Sequence, residues 1–149
     1  MISFDGTETF PLSVAVVFAR LGDAGFLAGC LPDTEVVRAT PDEAEWKSRP
    51  KLAFLSGVID TAAKVTERRG TEAIRYALSL KAPGGGTTVE AALALEPTAD
   101  GGTLVRWSGT ITRFSGLLKL APTSLIQPAA TKVVAEVWAA VRAKLVPTG

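Results

Sequence analysis

No histidine occurs anywhere in the 149 residues of this chain. That removes the commonest general base and the commonest metal ligand, and a Ser-His-Asp or Cys-His arrangement cannot be built within it. Cysteine is almost as scarce. Cys30 stands alone, so no internal disulfide can form, and zinc would lack thiolates as well as imidazoles. A single thiol fits a reducing cytoplasm, the expected location. In the N-terminal region the longest apolar run, residues 14–19, falls far short of the roughly 20 residues of a membrane span. The opening MISFDGTETF has no positively charged stretch, so a signal peptide is not expected. The 16 basic and 15 acidic residues nearly cancel, to a net charge of +1. Without a Lys/Arg run or basic-aromatic interleaving, nucleic acid is not an expected partner. No metal site and no cofactor is implied.

What is present is an ordinary globular balance, with 47% hydrophobic and 21% charged residues. The length fits one domain over residues 1–149. The chain is organised around its C-terminal segment, residues 115–145. There Val134, Val137, Trp138, Val141 and Leu145 form one stripe of an amphipathic helix, with Lys132 and Glu136 opposite. Pro122 and Pro128 interrupt its first half, which predicts a short turn over 117–121 and a bent helix from about Ser124, regular only after Pro128.

The rest reads in order. Residues 2–9 alternate as a first strand, with Ile2, Phe4, Gly6 and Glu8 on one side. Pro11 suits the first turn of a short helix that Gly22 stops. Asp23 caps a second helix over 24–29, with Phe26 and Leu27 as its buried contacts. It ends before Pro32. Strands follow over 34–40 and 43–53, the second carrying Pro50, which suits an edge or a bulge. A turn at 55–57 leads to strands over 58–68, 72–81, 87–96 and 103–114, joined by Arg69-Gly70, Gly84-Gly85-Gly86 and Asp100-Gly101. Alternation with one polar side predicts an antiparallel sheet with one wet face. Its other face must be covered by the last helix.

This order of elements, a strand, two short helices, a six-strand meander and a long C-terminal helix, is the helix-grip arrangement. Phe10-Pro11 followed by Val14, Val17 and Phe18, then Asp23, Leu27 and Cys30-Leu31-Pro32, resembles the opening of the CoxG-like branch of the START/SRPBCC superfamily, whose members belong to carbon monoxide dehydrogenase systems. Leu55-Ser56-Gly57 resembles that family's tight strand connection, and Gly116-Leu117-Leu118 to Leu125-Ile126 the start of its last helix. One departure is Asp33, where the family's turn carries glycine. The resemblance implies an α+β fold of about seven curved antiparallel strands around the long helix, with a hydrophobic cavity between. It also implies association with molybdenum-containing CO dehydrogenase-type oxidoreductases, in their maturation, membrane recruitment or quinone coupling. Some relatives attach to membranes through a C-terminal extension. This chain reads only to Gly149, so that route is not expected, while peripheral membrane contact stays compatible.

Trp46, Phe54, Tyr76, Leu78, Leu93, Trp107, Phe114, Leu118, Leu125 and Trp138 are the candidate cavity-lining residues. Each alone is as well explained by core packing. Together with the small Ala63, Ala91 and Gly109 on the same predicted face, they suggest an underfilled interior of the kind apolar ligands occupy. Tyr76 and Trp107 would supply its polar handles. Ligand entry is expected near Leu118, Leu125 and Ile126. Cys30, with no histidine to activate it, reads as a small buried hydrophobe. Asp60 and Glu67, seven apart, fall on opposite strand faces, and Arg106 and Arg113 point outward. The triple glycine lacks the helix and lysine of a phosphate loop.

The functional expectation is a non-enzymatic carrier or accessory of a hydrophobic, lipid- or quinone-like molecule, alongside an oxidoreductase partner. The alternative is a cyclase, hydrolase or isomerase of the same superfamily using Tyr76, Asp60 or Glu45, which the lack of histidine and of inward carboxylates disfavours. A third reading is an interaction module that binds an oxidoreductase through its sheet edge.

Overall fold

Period-2 alternation does build strands, and seven of them form one curved antiparallel sheet in the computed structural model, which describes residues 2–31, 33–49, 57–116, 119 and 122–146. The elements are β1 (Ile2–Phe10), α1 (Val14–Leu21), α2 (Ala24–Cys30), β2 (Thr34–Ala39), β3 (Glu43–Ser48), β4 (Ile59–Arg69), β5 (Ala73–Ala82), β6 (Gly85–Pro97), β7 (Thr103–Gly116) and α3 (Thr123–Leu145). The order across the sheet is β1-β7-β6-β5-β4-β3-β2. This is the expected helix-grip fold. Residues 50–53 of the expected second meander strand lie outside the described residues, as do Leu55 and Ser56 of the turn after it.

Local chemistry sets the two short helices. The Ser13 hydroxyl accepts the Val16 amide at 3.4 Å, so α1 begins at Val14 and Pro11 precedes the helix instead of opening it. Asp23 caps α2 as expected, its carboxylate accepting the Phe26 amide at 3.0 Å. The fully buried contacts of α2 are Ala24 and Ala28, not Phe26 and Leu27, which are half-buried at the core margin. One turn apart, two alanines bring the helix backbone close to its neighbours.

Register shifts occur in three strand pairs, β2–β3, β4–β5 and β6–β7, and the last two bear on the concave face. One lies in β4 between Val65 and Glu67, and places Arg68 opposite Ile74 on the inner face and Glu67 opposite Arg75 on the outer face. Asp60 and Glu67 therefore share the outer face, against the expectation from their spacing, because one extra residue inverts the alternation. There Glu67 pairs with Arg69 and Arg75, and Asp60 with Lys47. The second lies between β6 and β7. Val89 faces Ile111 but Thr88 faces Arg113 and Thr87 faces Phe114, so Phe114 points inward and Arg113 outward.

Arg68 then ties the helices to the sheet. Its guanidinium donates to the Gly22 carbonyl at 2.8 and 3.1 Å, to the Pro41 carbonyl at 2.9 Å and to the Asp42 carboxylate at 2.8 Å. Next to it, the Ala24 and Gly25 amides donate to the Pro41 and Thr40 carbonyls, both at 2.9 Å. The start of α2 is thereby fixed to the β2–β3 turn. On the far side of the sheet, the fully buried Thr103 donates to the Leu12 carbonyl at 2.7 Å.

The last helix differs from expectation in its first half. It runs unbroken from Thr123 to Leu145 with Pro128 inside it. Pro128 leaves the Ser124 carbonyl without its helical donor, but both residues are exposed, so water can replace that bond. Of the turn expected over 117–121, only Lys119 is described. The stripe is as expected: Val141 and Leu145 are buried, Val134, Val137 and Trp138 half-buried, and Lys132 and Glu136 exposed.

Buried side chains fall into two separate clusters. The larger joins α1, α2 and the C-terminal half of α3 to the sheet through Phe10, Val17, Leu21, Ile74, Val105 and Val141. Each such side chain contributes about 1.5–3 kcal/mol on burial. The smaller joins Ile126 and Ala130 of α3 to Ile2, Phe4, Val89, Ile111 and Phe114. Asp33, just before β2, has a φ of +52°, a left-handed conformation that glycine adopts freely and aspartate tolerates better than most residues. Asp33→Val should therefore lower stability by about 1–2 kcal/mol in urea unfolding, while Asp33→Gly should leave it equal or higher.

Candidate functional site

Antiparallel register assembles the site from residues far apart in sequence. Phe4, Gly109, Ala91, Tyr76 and Val65 lie opposite one another across β1, β7, β6, β5 and β4. On one side runs the row Gly6, Trp107, Leu93 and Ile74, and on the other Ile2, Ile111, Val89, Leu78, Ala63 and Ala44. All share the face that α3 covers. Two adjacent positions of the middle row, Gly109 and Ala91, are small, and the consequence shows at Gly109. A methyl group placed there would meet no atom within 4 Å. A native core packs at close to crystalline density, so an inward position with room for a methyl marks a gap. The gap falls between the two hydrophobic clusters, with Phe4, Val89, Leu93 and Trp107 around it, all half-buried.

Aromatic rings wall the site toward α3. Trp138 lies 6.2 Å from Trp107 and 6.3 Å from Phe10, centroid to centroid, at tilts of 37° and 42°. The Trp107 indole rests on β1 at Gly6, where a Cβ would come within 2.6 Å of the ring. Only glycine lets the ring lie there. At the same end, Glu8 is an inward-facing carboxylate on β1, contrary to the expectation that the concave face carries none. Arg142 of α3 donates to it at 3.2 Å and stacks over the Phe10 ring at 4.5 Å. An ion pair that also rests on an aromatic face holds α3 against the first strand.

The expected site residues have different fates. Trp46, Leu78, Leu93, Trp107, Phe114 and Trp138 are half-buried on the concave face or on the helix over it. Tyr76 is buried, and its hydroxyl donates to the Leu21 carbonyl at 2.5 Å, so its polar atom is spent on the end of α1. Leu125 is 47% exposed, whereas Ile126 is buried against Ile2 and Ile111. Phe54 and Leu118 lie outside the described residues. Asp60 and Glu45, the carboxylates offered for catalysis, face outward and are exposed. Phe4, Gly6 and Val89 also lie on this face and are not among the residues expected from the sequence, although Phe4 and Gly6 sit on the inward side of the first strand's alternation and Val89 on that of β6.

Electrostatics on this face are subdued. Burial pushes the Cys30 thiol up, against the opposing pull of Lys144 and Arg20, which fits a small buried hydrophobe. Burial likewise raises the Tyr76 phenol well above its usual value, outweighing Arg68, with Asp23 adding to the rise. Among the described residues no cluster of Cys, Asp and Glu could hold a metal ion, and no helix is long and apolar enough to cross a membrane.

Two depressions lie elsewhere. One of about 580 Å³ runs along α3 beside Ser124, Gln127, Pro128, Thr131, Lys132 and Ala135. The other, of about 310 Å³, lies against β4 to β7 among Glu67, Arg69, Arg75, Ala92, Arg106 and Ser108, and also touches Ile74, Leu93 and Trp107. Both are open and lined largely by exposed polar or small side chains, so the apolar gap at Gly109 is the better site for an apolar ligand.

Because the Tyr76 phenol is held neutral in the fold, the unfolded chain releases that proton first as pH rises. The bond's contribution is complete below about pH 10 and declines above it. Tyr76→Phe should cost about 1–3 kcal/mol at neutral pH, since the Leu21 carbonyl loses its phenol donor. Urea unfolding at pH 7 to 11 should find the alkaline decline of the wild type less steep in this variant.

Known structures agree on the fold. A conserved protein from Geobacillus kaustophilus superposes with a TM-score of 0.82 at 14% identity, over 97% of this chain and 95% of the other. A START superfamily protein from Mycobacterium smegmatis superposes with a TM-score of 0.69 at 10% identity, over 96% of each chain. No curated protein matches the chain at a significant level. Residues 1–146 match the family described as polyketide cyclase / dehydrase and lipid transport. That description joins functions that share an apolar ligand, the class of molecule that a gap walled by Phe4, Val89, Leu93 and Trp107 suits. By this match the chain belongs to the polyketide cyclase / dehydrase and lipid transport family, and its fold is the helix-grip fold of that START superfamily structure.

Proposed function

We propose that this protein is a binding or carrier protein that holds a hydrophobic small molecule, lipid- or quinone-like, between the concave face of the sheet and α3. The observation that carries the reading is the gap at Gly109. A strand interior that needed only packing would be filled there, since an empty apolar space forfeits dispersion contacts on every side. The glycine keeps open a space bounded by aromatic and aliphatic side chains. The family's lipid-transport description supports the same reading.

The accessory role beside a CO dehydrogenase-type oxidoreductase belongs to this proposal as its finer part. Its support is the opening pattern from Phe10 to Asp33, in which Asp33 takes a glycine-like φ of +52° at the position where the resembling turn carries glycine. A cyclase-type enzyme acting on an apolar substrate is the second reading. The family description favours it, and Glu8 is the concave-face carboxylate that such chemistry would recruit. Its carboxylate is already engaged by Arg142 at 3.2 Å, so that pair must open before Glu8 can meet a substrate.

Native mass spectrometry of protein extracted gently from its source cells should find an apolar species bound. Gly109→Leu should fold without a clash at its Cβ, which meets no atom within 4 Å, and should carry none of that species. Equal occupancy in Gly109→Leu would place the ligand elsewhere. No bound species in the wild type, together with failure to take up an added fluorescent fatty acid, would sink the carrier reading.

A further inference from the structure

The Trp107 indole nitrogen is buried and has no hydrogen-bond partner. Among the described residues it is the only buried side-chain polar atom so placed. Such an orphan is rare in a folded protein and calls for a reason. Packing supplies none. Tyr76, the other polar aromatic of this face, has its hydroxyl on the Leu21 carbonyl. Thr87, on the row that faces Phe114, donates to the Arg113 carbonyl at 2.7 Å. Glu8 follows Gly6 by two residues on the same face of β1. Its carboxylate is turned to Arg142. The nitrogen-bearing edge of the ring lies at Gly6, where a Cβ would be 3.1 Å from the nitrogen. On the other side of the ring along β7 is Gly109, with its empty space. The unpaired N–H therefore lies against β1, and the space at Gly109 is on the other side of the same ring, where a pivot of the indole would bring the N–H to it.

Resting on the cavity reading above, we infer that the ligand is not a pure hydrocarbon. It carries a hydrogen-bond acceptor oxygen, of the ketone, quinone or carboxylic type, on its apolar body, and Trp107 is the residue that selects for it. The ligand's body fills the space at Gly109 against Phe4, Val89 and Leu93. A pivot of the indole off Gly6 presents its N–H to that oxygen. Ligands without an acceptor leave the donor buried and unpaired. A site whose buried polar group goes unmet rejects the analogue that fails to meet it.

The test uses two bicyclic probes of matched size, 1-tetralone and tetralin, which differ by one carbonyl oxygen. Titration of the intact protein is followed by the proton and nitrogen resonances of the three tryptophan side chains, with Trp107 assigned by its absence in Trp107→Phe. Tetralone should bind roughly tenfold or more tighter than tetralin and move the Trp107 indole proton downfield. In Trp107→Phe the two probes should bind alike, with tetralin close to its wild-type affinity. If this variant fails to fold, the wild-type affinity ratio still decides. Equal affinities in the wild type, or a Trp107 proton already downfield in the free protein, would overturn the inference and leave the carrier reading standing. Failure of both probes to bind, with no change on Gly109→Leu, would remove both.

Discussion

Arg68 is the side chain on which the arrangement of the helices depends. One guanidinium satisfies the Gly22 and Pro41 carbonyls and the Asp42 carboxylate. It thereby joins β4 to the α1–α2 junction and to the β2–β3 turn. It reaches them only because the bulge between Val65 and Glu67 turns it to the inner face. Tyr76 holds the adjacent Leu21 carbonyl, so the carbonyls that end α1 have donors from the sheet. Charge-assisted bonds to carbonyls are among the stronger single polar contacts in a fold. With the junction fixed, α1 and α2 close one end of the concave face, and α3 is left to cover the rest.

How α3 covers it sets the character of the interior. Its C-terminal half packs with the large cluster around Phe10, Val17 and Leu21, and is held by Arg142 on Glu8 and Phe10. Its N-terminal half packs with a separate cluster around Ile2 and Ile111. Two anchored ends with small residues between them leave a space in the middle of the sheet. The exposed Pro128 does not break the helix, because the bond it forfeits lies at the solvent side. The fold is stable by its ends and underfilled at its centre, the combination that the proposed carrier role requires.

The polar groups of the concave face follow one pattern. Glu8 is neutralised by Arg142, Tyr76 is bonded to backbone, and Arg68 is fully engaged. Each buried polar group must find a partner or cost stability. Trp107 is the exception, and the exception sits beside the gap at Gly109. The inferred acceptor-bearing ligand explains both facts with one occupant.

The sequence by itself determined the element order, the antiparallel meander, the apolar stripe of α3 and the cap at Asp23, because alternation, helical spacing and capping are local properties. It also marked Ala63, Ala91 and Gly109 as small inward positions, since a period of two assigns faces along one strand. Tertiary structure decided what depends on register between strands. A bulge adds one residue without changing composition or hydropathy, so neither the inward turn of Arg68 nor the shared face of Asp60 and Glu67 was legible. Pairing across the sheet brought Gly6 under Trp107, and docking of α3 brought Arg142 to Glu8. The long spacing from residue 8 to 142 carries no local signal. Ser13 shows the same limit at short range. Its hydroxyl caps α1 just after the bend at Pro11 and Leu12, so the helix starts at Val14.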